Sequence, residues 1–163
     1  MKIIETKLSE KEFINANMVL LYKRRGAWIN IIIGGLLLIY FLFTWLSSDR
    51  SYFDPTLIIA PVILLGLLPI LTYFRAKKLY GNSRAGEKII YEFRDNQFVI
   101  TGESFNSQLS WDKIHKVTGT KDWIFVWHNS QQANPIPKKD IWEGEILKLR
   151  EILDSNKVKN NLA

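Results

Sequence analysis

The sequence predicts an α+β membrane protein: a two-helix transmembrane hairpin plus a cytoplasmic antiparallel β roll or barrel closed by a C-terminal helix. Three observations predict it. Two apolar runs, Ala27–Leu46 and Thr56–Phe74, contain no Lys, Arg, Asp or Glu in a chain where charged residues make up 23%. The hydrophobic period switches from helical to two at Glu87, and back to helical after Asp140.

The runs come first. At about 1.5 Å per residue, a run of about twenty residues rises about 30 Å, the thickness of a bilayer's hydrocarbon core. A helix lying on the core of a soluble protein keeps a polar stripe, and neither run has one. Asn30, Thr44 and Thr72 are the most polar members and lie near the run ends, as do Trp28, Trp45 and Tyr73. Amphipathic rings at those positions suit the headgroup region. Lys23, Arg24 and Arg25 precede the first run, and Arg75, Lys77 and Lys78 follow the second; the link between the runs carries Arg50 against Asp49 and Asp54. Cationic flanks stay on the cytoplasmic side, so both termini are expected inside a bacterial inner membrane and the link outside.

Depth matching places Gly34 and Gly35 of the first run level with Gly66 of the second. Small residues at one depth let two backbones approach, so these glycines are the expected helix–helix packing positions, Gly34 or Gly35 facing Gly66. Pro61 and Pro69 are expected to bend the second helix, since neither has an N–H to give.

Charge divides in the same sense. The net charge is +6, of which residues 1–26 carry +3, the link −1 and residues 75–163 +4. Juxtamembrane Lys and Arg attract anionic lipid headgroups, which accounts for the surplus without nucleic acid. The chain has no cysteine, which excludes disulfides and thiol chemistry. A full-length apolar run behind twenty-six polar-rich residues is not a cleavable signal.

The remaining elements follow the chain. Met1–Thr6 is a short Ile-containing lead with the character of an edge strand. Ser9 with Glu12 has the spacing of a capping box, opening an amphipathic helix that lies either at the inner membrane surface or against the β domain. Residues 75–86 form a juxtamembrane helical extension and linker. Ile89, Tyr91 and Phe93 alternate with Lys88, Ile90 and Glu92; Asp95-Asn96 turns; Phe98 and Ile100 continue in a second strand; Phe105, Ser107, Leu109 and Trp111 share a face of a third. Trp111–Ile114 interrupts the alternation, Lys116–Thr120 resumes it, and Trp123–His128 is the most β-prone stretch. Pro135 and Pro137 restrict Ala133–Pro137 to a short strand. Asp140 is the expected cap of a helix carrying Trp142, Ile146, Leu149 and Leu153, and 156–163 reads as a flexible tail. The domain reading is 1–26, 27–74, 75–86, 87–155 and 156–163.

Antiparallel strands closed by one helix outline a pleckstrin-homology-like (PH-like) roll. Through Ser110-Trp111-Asp112-Lys113-Ile114, Lys121-Asp122-Trp123-Ile124-Phe125-Val126 and Ile136-Pro137-Lys138-Lys139, the chain resembles the YcxB-like family of bacterial membrane proteins. That resemblance implies a cytoplasmic N-terminal segment, two close spans and a PH-like domain, with no known activity.

No residue set specifies a reaction. Two histidines, His115 and His128, lack partners at metal-ligand spacing, and neither a nucleophile elbow nor a glycine-rich phosphate loop is present, so no enzyme and no cofactor is expected. Trp111, Trp123, Trp127 and Trp142 read as core and rim. Strand parity makes both faces of 123–128 apolar, one for the core and the other for the N-terminal helix, the membrane or a second subunit. The candidate interaction surface is Lys113, Lys116, Lys121, Trp127, Lys138 and Lys139. It suits a protein partner or self-association, or alternatively an anionic headgroup or acidic peptide.

Overall fold

A computed structural model of the chain describes residues 2–47, 56–82 and 84–162, so the expected link between the two apolar runs lies outside the described residues. The chain forms two compact units, one of Met1–Lys11 with Asn82–Ala163 and one of Glu12–Gly81.

The second unit is helical. Helix α1 (Glu10–Lys23) begins directly after Ser9, and α2 (Arg25–Ser47) and α3 (Thr56–Asn82) contain the two apolar runs. Both α2 and α3 are long and apolar enough to cross a membrane. Only 11% and 6% of their most apolar windows are buried, so these are not core helices hidden by the rest of the chain. Leu36, Ile39, Phe43, Val62 and Phe74 are among the large side chains they leave exposed. α3 continues through Pro61 and Pro69 and on past the apolar run to Asn82. On that extension Tyr80 meets Phe13 of α1, ring centroids 5.9 Å apart, and Ala16, Leu20 and Leu21 form the buried side of α1.

The first unit is built from seven strands. β1 (Lys2–Thr6), β2 (Ile89–Phe93), β3 (Gln97–Thr101) and β4 (Asn106–Ser110) form an antiparallel sheet in that order; β5 (Lys116–Gly119), β6 (Trp123–Trp127) and β7 (Ala133–Pro137) form a second. The expected lead strand is thus an edge strand, and its partner is β2, reached only after both apolar helices: Ile4 lies opposite Tyr91, and Thr6 opposite Ile89. Among the described residues the seven strands form two antiparallel sheets rather than a closed barrel. The break falls where the 3-10 turn Trp111–Lys113 ends the first ladder. At the far side, β7 is an edge strand, where its two prolines remove no needed donor.

The two sheets share a core. Ile4, Tyr91, Phe93, Phe98 and Ile100 from the first meet Val117, Ile124, Val126 and Ile136 from the second. Helix α4 (Glu143–Ser155) adds Leu149 and Leu153. The Trp111 indole lies against Phe93 and Phe98 and donates through Nε1 to the Arg94 carbonyl at 3.0 Å, anchoring the end of β4 to the β2–β3 turn. Gly102 is required at the β3–β4 turn, since a Cβ there would overlap the Phe105 ring.

Two expectations change. Asp140 does not cap α4. It sits in a 3-10 turn (Lys138–Asp140), where its Oδ2 accepts from Thr6 Oγ1, and the helix starts after Trp142. Nor is the tail loose. Lys157 takes a left-handed backbone (φ 57°) that turns the chain off α4, and Val158 and Leu162 enter the core. Asn160 bridges in parallel to Val117, whose N–H donates to the Lys159 carbonyl at 2.9 Å. Two apolar plugs and an open strand edge hold a segment whose polar composition reads as solvent-exposed.

Candidate interaction surface

The five lysines do not form one surface. Lys138 N–H donates to the Asp122 carbonyl at 2.8 Å, which sets the 3-10 turn beside Lys121-Asp122. Lys121 and Lys138 therefore lie at the Gly119 end of the second sheet, Lys138 Nζ 3.9 Å from where a Cβ on Gly119 would sit. Lys116 is opposite Trp127 at the other end of β5, about 10 Å away at strand rise. Lys113, exposed, precedes it in the 3-10 turn, and Lys139 is exposed beside Lys138. The arrangement offers two separated basic groups, with the Asp122 carboxylate next in sequence to Lys121.

Trp127 is no exposed anchor. It is 3% exposed, its Nε1 donates to Thr118 Oγ1 at 2.8 Å, and the Lys116 ammonium lies 4.9 Å from its ring centroid. Trp123, Phe125 and Trp127 contact one another in a row on the face of β6 opposite the shared core, and all three are buried. Both faces of this strand are covered, as its apolar parity requires.

Among the described residues of the β unit, the exposed aromatic is Trp142, at 82%, with Leu147 at 63% on α4. Sequence spacing misplaced it. Trp142 lies four residues before Ile146, which suggests the buried stripe, but the helix starts at Glu143 and Trp142 has extended backbone (φ −72°, ψ 143°). Its side chain therefore leaves the helical pattern. Its backbone is fixed by Glu145: Trp142 N–H donates to Glu145 Oε2 at 3.1 Å and its carbonyl accepts from Glu145 N–H at 2.8 Å.

In the helical unit, Gly34 is a packing position and the other two glycines are not. A Cβ on Gly34 would lie 2.9 Å from Leu65 Cγ and 3.2 Å from Leu64 Cβ, whereas Gly35 has open space and Gly66 meets only Ile70 of its own helix. The notch at Gly34 receives leucine side chains rather than a second glycine, because one missing side chain already makes room. Lys23 ends α1, Arg25 begins α2, and Arg75, Lys77 and Lys78 stand exposed on α3 around buried Ala76.

Burial pushes the Tyr91 phenol well above its ordinary range. Tyr91 lies between Ile4 and Ile100 on the core face of the first sheet.

The family comparison covers the strands and helix just described. The model for YcxB-like protein matches residues 93–153. Those residues are YcxB-like. The YcxB-like stretch runs from the last residue of β2 to the buried Leu153 of α4, and holds all three sequence motifs on which the resemblance rests. It leaves out β1, the apolar helices and the docked tail. No curated protein and no solved structure matches the chain.

Proposed function

We propose that the chain is a non-enzymatic, membrane-anchored module of the bacterial inner membrane, with a PH-like cytoplasmic domain that makes protein–protein contacts or self-associates. The observation that carries the reading is Trp142, a large aromatic side chain 82% exposed beside exposed Leu147 on an otherwise well-packed unit. Trp anchors enriched at interface centres have this character. The four-plus-three strand order followed by a helix supports the PH-like reading.

The anchoring half is supported by the pairing of β1 with β2. These strands flank the apolar helices in sequence, so the sheet forms only if both flanks are on one side of the bilayer. Two crossings, out and back, meet that condition. Exposed Arg25, Arg75, Lys77 and Lys78 at the same-side ends of the helices favour the cytoplasm.

The test is a photo-cross-linking residue placed at Leu147 of the full-length protein in native membranes. The expected result is an adduct with a protein or a second copy that Trp142→Ala reduces at least fivefold. Lipid adducts only, from a protein that runs as a monomer, would overturn the reading.

A further inference from the structure

We propose that two copies of this chain exchange residues 158–162, each tail filling the groove between β5 and α4 of the other copy, with Lys157 as the hinge. The inference deepens the self-association branch of the function proposed above and rests on it.

The groove holds an extended segment on both sides. β5 is an edge strand of its sheet; Val117 N–H donates to the Lys159 carbonyl at 2.9 Å, and Gly119 N–H donates to Asn161 Oδ1 at 2.8 Å. Asn160 bridges in parallel to Val117, and its Nδ2 donates to Asp154 Oδ1 of α4 at 2.8 Å. Val158 and Leu162 join the core cluster that includes Leu149 and Leu153 of α4. Gly119 leaves the space that Leu162 takes, since a Cβ there would lie 3.3 Å from Leu162 Cδ2. Main-chain bonds to a strand edge with spaced apolar anchors are the contacts by which one chain adds an extended segment to another. Here the added segment comes from the chain itself.

The hinge favours exchange. Lys157 N–H donates to the Asp154 carbonyl at 3.0 Å and Val158 N–H to the Leu153 carbonyl at 2.8 Å, the paired bonds that close a helix end around a left-handed residue. Glycine ordinarily takes that position, because a Cβ opposes the left-handed backbone. In this chain it is Lys157, at φ 57°, the only described residue with a positive φ. Every copy carries the same groove, so a tail that crosses to a neighbour remakes its contacts with β5 and α4 there. The crossing gives up the two bonds of the turn, at an exposed lysine where water can replace them, and releases that lysine from its strained backbone. A short, strained hinge ahead of an element that any copy can seat is the condition under which identical chains swap segments.

The chain has no cysteine, so a disulfide between two copies tests the exchange without background. Two differently tagged full-length copies are co-expressed, one with Gly119→Cys and the other with Leu162→Cys, a pair that the groove brings within bonding reach only when a tail has crossed. After oxidation in membranes, the expected result is a covalent pair carrying both tags, at least fivefold above a control in which exposed Asn129→Cys replaces Gly119→Cys. Lys157→Gly, which relaxes the closed turn, lowers the yield at least threefold, and Lys157→Pro, whose φ is incompatible with that turn, raises it at least threefold. Native mass spectrometry of Lys157→Gly and Lys157→Pro with the groove otherwise unaltered should show the same opposite shifts in dimer fraction. A covalent pair no more abundant than the control, or a yield and dimer fraction indifferent to both hinge variants, overturns the proposal. Protein adducts from Leu147 without the cross-copy disulfide sink the exchange alone. Lipid adducts only from a monomer, with no cross-copy disulfide, remove both readings.

Discussion

Thr6 Oγ1 donates to Asp140 Oδ2 at 2.6 Å, tying the first strand of the chain to the turn before its last helix. Thr6 is 3% exposed and lies opposite Ile89, so the two connections to the apolar helices leave the sheet side by side at this point. The bond holds an edge strand that short-range sequence contacts do not hold, since its hydrogen-bonded neighbour in the sheet follows both helices.

Thr6→Val keeps the shape and removes the donor. The expected cost is about 1–2 kcal/mol, the range for a hydrogen bond to a carboxylate that water can partly re-solvate. Urea unfolding of the full-length protein in mild detergent, followed by tryptophan fluorescence, measures it. An unchanged midpoint would mean that β1 is held by its ladder alone.

Gly34 and Gly35 separate packing from mere smallness. Gly34→Val drives a side chain into Leu64 and Leu65 and is expected to destabilise the helix pair by about 1–3 kcal/mol. Gly35→Val meets open space and leaves the pair intact. Thermal stability of the two variants in one detergent decides the matter, and equal losses would contradict the notch.

Leu162→Ala tests the docked tail. Leu162 is 2% exposed within the core cluster, and its loss is expected to cost about 2–3 kcal/mol, at the lower end for a buried Leu→Ala change because a terminal segment can partly collapse on the cavity. Amide hydrogen exchange at Val117, whose N–H donates to Lys159, should quicken in the same variant. A solvated tail would give neither effect.

Tyr91 predicts an alkaline limit. Its phenol is raised in the folded state, so below the ordinary tyrosine value of about 10 both states are neutral and the contribution is fully present. Above that value the unfolded chain ionises while the folded one does not, and stability falls with rising pH. Tyr91→Phe is expected to flatten the decline in unfolding midpoint between pH 9 and pH 11.5, or about that range. A decline of the same slope in both proteins would place its origin elsewhere.

The strands β2–β7 and the helix α4 are legible because each announces itself within a window of four to thirteen residues: Ile89, Tyr91 and Phe93 alternate, and Ile146, Leu149 and Leu153 recur at helical steps. The lead strand's character is legible too, but not its partner, because pairing Ile4 with Tyr91 is a contact across the whole helical unit. Trp142 is obscured by its spacing to Ile146, since a shift of two residues in the helix cap, from Asp140 to Trp142, redirects the side chain. The basic surface failed as a group for a related reason: Lys116 and Lys121 are near in sequence, yet an extended strand separates them.

By itself the sequence determined the local periods, the two charge-free runs and the cationic ends that flank them, because each is set by neighbours along the chain. Tertiary structure alone decided that residues before the helices complete a sheet after them, that the polar tail is seated by Val158 and Leu162, and that Gly34 rather than Gly66 makes the notch. Those outcomes depend on which distant surfaces fill one another's space, and that information is shared between segments that local pattern never compares.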